Sequence, residues 1–282
     1  MIARKTATKA LRVLHHVALV LGVIVFATPL LWLFATSLKT DEQIVDVSSM
    51  VRMLVPHPIK WSNYPEALRF INYFRALLNT AIVTALSVVG VALSCSLAAF
   101  AFARLSWPGR NVSFLLLLST MMLPYQVTMI PVFLIFTRIG WVNTLRPLWI
   151  AAFFAPPFYV FLLRQFFLTI PKDLEDAAKI DGCSYFGIYA RVMLPLIKPA
   201  ISSVVIFQFM AAWNDFIGPL IYIQDRELAT LSLALQAFQS AHEAEWSLLM
   251  AACTMMILPV MVLFLAAQRY FVQGVTLTGL KA

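Results

Sequence analysis

Charge is scarce in this chain. Of 282 residues, 12% are Asp, Glu, Lys or Arg and 61% are hydrophobic. A soluble domain is about a quarter charged and about half apolar, so the composition excludes one and points to an integral membrane protein. Cysteine is scarcer still. Cys95, Cys183 and Cys253 show no paired spacing, and two fall in apolar runs, which leaves no disulfide framework and no metal cluster to propose. His15, His16, His57 and His242 make no metal or catalytic pattern; His242-Glu243-Ala244-Glu245 lacks the second histidine of a zinc-protease helix and reads as a solvated charge run. A G-x-x-x-x-G-K-S/T loop is absent, so the chain has no P-loop with which to cradle ATP phosphates. Neither a nucleophile–base pair, an internal repeat nor a low-complexity tract is found, and no catalytic residue is assigned.

What is present is apolar sequence in long runs. Crossing a bilayer takes about 20 residues of helix. Six stretches qualify: Val17–Leu38, Leu77–Ala103, Val112–Phe136, Leu145–Leu168, Pro199–Ile223 and Leu248–Phe271. Continuous runs rather than alternating short segments predict helices and argue against a β-barrel. The first run is too long for a signal-peptide core and lacks a clean small-x-small cleavage site, so it reads as a retained span.

Lys and Arg set the orientation. Arg4, Lys5, Lys9, Arg12, Arg104, Arg110, Arg164, Lys172, Lys179, Arg191, Lys198, Arg269 and Lys281 share one side, thirteen against eight on the other, where the acids instead predominate eight to four. That places both termini in the cytoplasm. The net charge of +8 is then a topology signal rather than a nucleic-acid-binding one. The turn Arg104–Arg110 reverses the chain at Pro108-Gly109, with its two arginines within reach of lipid phosphates. Lys39–Tyr73, the longest external loop, carries Asp41, Glu42 and Asp46 and then PHPIKWSNYPEAL, which reads as a turn-rich cover with a short helix. Pro124 and Pro131 predict a kinked third span, and Pro156-Pro157 a local break in the fourth.

One polar island stands out, IPKDLEDAAKIDGCSYFGIYARVMLPLIKP at residues 170–199. Asp173 is placed to cap a helix whose first turn holds Glu175 and Asp176, favourable against the helix dipole. Leu174, Ala177, Ala178 and Asp181 share one face, where two alanines permit close approach of a partner. Gly182 allows a sharp turn into a second helical piece starting near Tyr185, which Leu194-Pro195 and Pro199 end. The acidic first half is a poor match for anionic lipid, so the helix reads as a docking element rather than one lying on the membrane. In the fifth span, Asn214-Asp215 is a polar pair at membrane depth. It is open to three roles: a packing hydrogen bond between the two, an external gate contact to a partner, or solute binding, with the first two favoured. Gln208 and Asn79 read as glue between helices.

The pattern Asp176-Ala177-Ala178, three residues, Gly182, nine residues, then Val192-Met193-Leu194-Pro195 resembles the EAA loop of ABC-transporter permease subunits, with Asp for Glu at the first position and Val for Ile near the end. Trp213-Asn214-Asp215-Phe216, Gly218-Pro219-Leu220 and Leu123-Pro124…Ile130-Pro131 extend the likeness to the carbohydrate-uptake branch, nearest the maltose-type second permease, over almost the whole chain. The resemblance implies an all-α permease domain over 1–282, multi-pass in a bacterial inner membrane, with a cytoplasmic coupling loop at about 171–199. It also implies its partners: a second homologous permease, two ATP-binding subunits that hold ATP and Mg, and an extracytoplasmic solute-binding protein. No cofactor would be bound by this chain. Its cargo would be sugars or related polar solutes, and the tail from Gln273 would reach toward the ATPases. The competing class, an ion-coupled secondary transporter, calls for several buried ionisable groups and duplicated halves; only Asp215 is a candidate.

Overall fold

The structure is a computed structural model describing residues 2–45, 55–240 and 245–279. Asp46, His242–Ala244, Lys281 and the last three tail residues lie outside the described residues. The principal helices are α1 (Ile2–Ser37), α2 (Tyr73–Arg104), α3 (Arg110–Ser119), α4 (Tyr125–Arg138), α5 (Pro157–Thr169), α6 (Lys172–Ile180), α7 (Lys198–Trp213) and α8 (Trp246–Gly279). The protein is an all-helical membrane protein. Among the described residues four segments are long and apolar enough to cross a bilayer: Leu14–Ser37, Tyr73–Arg104, Arg146–Thr169 and Trp246–Leu265. Two bent pairs, Arg110–Met122 with Tyr125–Arg138 at 100° and Tyr185–Leu196 with Lys198–Trp213 at 80°, bring the number to six if each pair is one span.

The third span is therefore broken, not merely kinked. α3 passes into a 3-10 turn at Thr120–Met122, and Leu123 and Pro124 are extended, with ψ of 117° and 140°, before α4 begins. A residue preceding proline is pushed out of the helical region, which sets the break at Leu123. In the fourth span, Ala155 sits at φ +51° ahead of Pro156-Pro157. The break is mended from α2: Ser94 Oγ donates to the Ala152 carbonyl at 2.9 Å and accepts from the Ala155 N–H at 3.2 Å. Side chains from a neighbouring helix commonly satisfy such freed backbone groups within a membrane.

Two compact units make up the chain. Unit 1 comprises Met1–Tyr73 and Leu235–Val260, and unit 2 Phe74–Ala234 and Met261–Ala282. In unit 1 the segment around Asn63 is tied to the end of α1: Asn63 Nδ2 donates to the carbonyls of Ser37 and Lys39 at 2.9 and 2.7 Å. Asp41 meanwhile accepts from the Ser247 N–H and hydroxyl at the start of α8. The expected short helix is there, at Asn63–Phe70.

Unit 2 holds the core that positions the polar loop. Lipid tails are as apolar as leucine, so helices associate in a membrane through close packing and shared hydrogen bonds. The buried face of α2 is built of small residues for that reason, with Val91, Cys95 and Ala99 against Val160, Leu163 and Phe167 of α5. At Gly90 a Cβ would stand 2.6 Å from the Phe153 ring, so the approach needs glycine. Asn79 donates to the carbonyls of Glu227 and Ala229 at 2.8 and 3.0 Å, a glue role between α2 and the returning external segment.

Candidate functional site

The polar loop is a built structure from end to end. α5 ends at Thr169, Ile170 and Pro171 run extended with ψ of 131° and 140°, and α6 begins at Lys172. The cap position thus falls on Pro171, not on Asp173, and no side chain caps the helix; Asp173 and Glu175 lie in the first turn. Proline has no N–H and an extended ψ here, so it ends the elbow and starts the helix in one step. At the other end Gly182 takes φ +78°. Its N–H bonds the Lys179 carbonyl at 3.0 Å and that of Cys183 bonds Ala178 at 2.9 Å. This double closure is a Schellman cap, which satisfies two carbonyls that the helix leaves open. Ser184 then caps the next piece, its Oγ accepting from the Gly187 N–H at 3.2 Å.

That second piece runs as Tyr185–Gly187, a π-helical stretch Ile188–Met193 and a last turn Leu194–Leu196, in which Leu194 is half-buried and Pro195 exposed. Ile188, Tyr189 and Met193 are buried in the core with α2 and α5, and the Tyr189 hydroxyl lies 2.7 Å from Ser96 Oγ of α2. With Ile197, these side chains anchor the loop in the bundle.

α6 turns a different face inward from the one its sequence suggests. Leu174, Ala177 and Asp181 are exposed as expected for a docking face, and so is Asp176, but Ala178 is buried and joins the core. Beside it on the inner side is Glu175, only 5% exposed. Glu175 Oε2 lies 3.9 Å from Arg104 Nη1, and its Oε1 lies 2.8 Å from Lys179 Nζ. Arg104, expected at lipid phosphates, has a side chain only 3% exposed, because the ends of α5 and α6 close over it. Lys179 also reaches Asp176 at 3.5 Å, and the Glu175 hydrogen bond raises its pKa above the usual lysine value.

Outward, the loop offers apolar side chains to solvent. Ile180 is 86% exposed and Phe186 70%, flanking the Gly182 turn beside Leu174 and Tyr185. Neither Ile180 nor Phe186 stands out in the motif; the signal is two bulky apolar residues on either side of a helix-ending glycine in a polar loop.

Asn214 and Asp215 are placed differently. α7 stops at Trp213, and a short helix follows at Ile217–Tyr222, so the pair occupies a break rather than a continuous span. The two side chains do not pair. Asn214 Nδ2 donates to the Met210 carbonyl at 2.8 Å, and Asp215 Oδ1 accepts from the Gly218 N–H at 3.1 Å. The cap position is Phe216, so Asp215 bonds the first turn of the short helix from the residue before it, a local partner for the carboxylate.

Bent and mended spans around a capped polar loop that is fixed inside and apolar outside describe the membrane component of a transport system. Residues 90–277 match the family described as binding-protein-dependent transport system inner membrane component. The arabinooligosaccharides transport system permease protein AraQ of Bacillus subtilis is 31% identical over 92% of each chain. The melibiose/raffinose/stachyose import permease protein MelC of the same organism is 32% identical over 99% of each. A solved bacterial ABC transporter involved in the import of the acidic polysaccharide alginate shares the fold, with a TM-score of 0.81 at 22% identity over 94% of this chain and 98% of that one. The chain belongs to the family of binding-protein-dependent inner-membrane permeases of ABC importers. That family carries no ATPase site of its own and no bound cofactor.

Proposed function

We propose that this chain is one permease of a sugar importer, working as a single membrane domain, and that residues 171–199 form the loop on which an ATP-binding subunit docks. The observation that carries the reading is the exposure of Leu174, Ile180, Tyr185 and Phe186 on a loop anchored in the bundle through Ala178, Ile188, Tyr189, Met193 and Ile197. Such a loop can receive a contact and pass it on without itself folding anew. The names of relatives that transport arabinooligosaccharides or raffinose-type sugars support the cargo class. The positive-side bias of Lys and Arg supports a cytoplasmic loop and cytoplasmic termini.

In this reading a second homologous permease completes the pathway, two ATP-binding subunits sit beneath, and an extracytoplasmic binding protein delivers the solute. ATP binding closes the ATPase pair and moves the clefts that hold α6. Ala177 allows the close fit, Asp173, Asp176 and Asp181 orient it, and Gly182 sets the turn. The bundle then shifts as a body between inward-open and outward-open states. Asn214 and Asp215 hold the broken fifth span in shape near the pathway.

The test is capture of the tagged chain from native membranes as wild type, Ile180→Asp and Phe186→Asp. An ATP-binding protein should accompany the wild type and be lost from both variants, with the second permease retained. An ATP-binding protein retained at wild-type level by both variants would place the docking surface elsewhere.

A further inference from the structure

The elbow between α5 and α6 is spanned by one side chain. The last carbonyls of a helix have no partner inside it. Arg104, the final residue of α2, supplies one: its Nη2 donates to the carbonyls of Phe167 and of Ile170, the latter at 2.5 Å. Its Nη1 faces Glu175 in the first turn of α6. A single guanidinium therefore holds a carbonyl before the elbow, a carbonyl within it and a carboxylate beyond it. Between α5 and α6 stand only Ile170 and Pro171, both extended; the Ile170 N–H bonds back to the Phe167 carbonyl at 3.3 Å, and Pro171 has no N–H with which to continue the helix. Unbraced, those two residues form a hinge.

We infer that Arg104 is a positioning residue that locks this elbow, so that force applied to α6 reaches α2 and α5 instead of being absorbed by rotation at Ile170-Pro171. The inference rests on the docking role proposed above. Both side chains are shut away from water, at 3% and 7% exposure, so no solvent can replace either partner. Glu175 is held from its other oxygen by Lys179, which fixes the carboxylate that the arginine grips. The planar fork of arginine suits three acceptors in different directions, whereas lysine offers a point charge. Cations also sit favourably at a helix C-terminus, and Arg104 lies at that of α5.

The experiment measures the elbow itself. Spin labels go on Phe161→Cys of α5 and Lys172→Cys of α6, both exposed positions, in a cysteine-free background. Distances are read in the isolated chain and in the captured complex, with and without Mg-ATP and vanadate. The wild-type elbow should give one narrow distance that survives addition of Mg-ATP. Arg104→Gln should lose that single distance and shift with Mg-ATP, Glu175→Gln should broaden it less, and Arg104→Lys should fall between wild type and Arg104→Gln. If Arg104→Gln fails to fold, the lysine and Glu175→Gln variants carry the test. An arginine with only a packing role would lower the thermal midpoint and leave the distance narrow. That result, or a wild-type elbow that moves with Mg-ATP, overturns the inference. If no ATPase accompanies the wild type, the docking reading fails, while a broadened elbow in isolated Arg104→Gln still upholds the brace.

Discussion

Two polar interruptions break the apolar bundle, and they are settled in opposite ways. At Glu175 a buried carboxylate is answered twice, by Lys179 four residues on at 2.8 Å and by Arg104 of another helix at 3.9 Å. At Asp215 the carboxylate is answered by the N–H of Gly218, three residues on. The first ties separate elements together; the second only shapes its own turn. A carboxylate paired at long range makes the loop a mechanical part of the bundle, whereas one satisfied locally adds no tie beyond its own turn; there it is the backbone, through Ser232 on the Asp215 carbonyl, that links the segment onward.

The sharpest way to break the contrast is to remove one partner from each site. Arg104→Met leaves the Ile170 carbonyl without its donor and Glu175 with Lys179 alone, and should cost about 2–3 kcal/mol in thermal or denaturant unfolding of the purified chain. Asp215→Ala removes the acceptor of the Gly218 N–H and should cost about 1 kcal/mol in the same assay. Equal losses at the two sites would erase the distinction. Between these lies Gly182→Val. A Cβ there meets no atom within 4 Å, so the expected cost of about 1–2 kcal/mol is that of a left-handed backbone alone.

Smaller still is the effect of Ile180→Ala on the free chain. A residue 86% exposed should change stability by less than about 0.5 kcal/mol, and yet ATPase capture should fall, which separates a docking role from a folding one. Smallest is the pH dependence through Lys179. Its pKa is raised by Glu175, so the pair's contribution is complete below the ordinary lysine value of 10.5 and fades as pH rises through the higher folded value. Unfolding followed from pH 7 to 9 should show no change from this lysine, and Lys179→Met should remove a loss seen only in more alkaline solution.

Local chemistry was legible in the sequence and long-range chemistry was not. Gly182 after a helical run signals a turn because a few adjacent residues decide it, whereas the helix expected to end at Leu194-Pro195 runs on to Leu196 and bends at Ile197. The inward face of α6 is decided by what covers it, so nothing in Lys172–Ile180 marks Glu175, rather than its neighbour Asp176, as the acid that Arg104 closes over. The same limit applies to the spans. Pro124 announced a distortion, but the 100° bend depends on how the chain restarts at Tyr125. Hydropathy averaged over the fifth span hid the break at Asn214–Phe216, because apolar residues flank it on both sides. Asp173 looked like a cap by residue type, yet Pro171 took the position by its backbone.

The most direct measurement is amide hydrogen exchange of the chain alone and in its captured complex. The account expects new protection on the loop, over residues 174–187, with the Asn214–Gly218 segment unchanged by the ATPase. Exchange that slows at Asn214–Gly218 and stays unaltered across the loop would contradict the claim that the loop is where the ATPase docks.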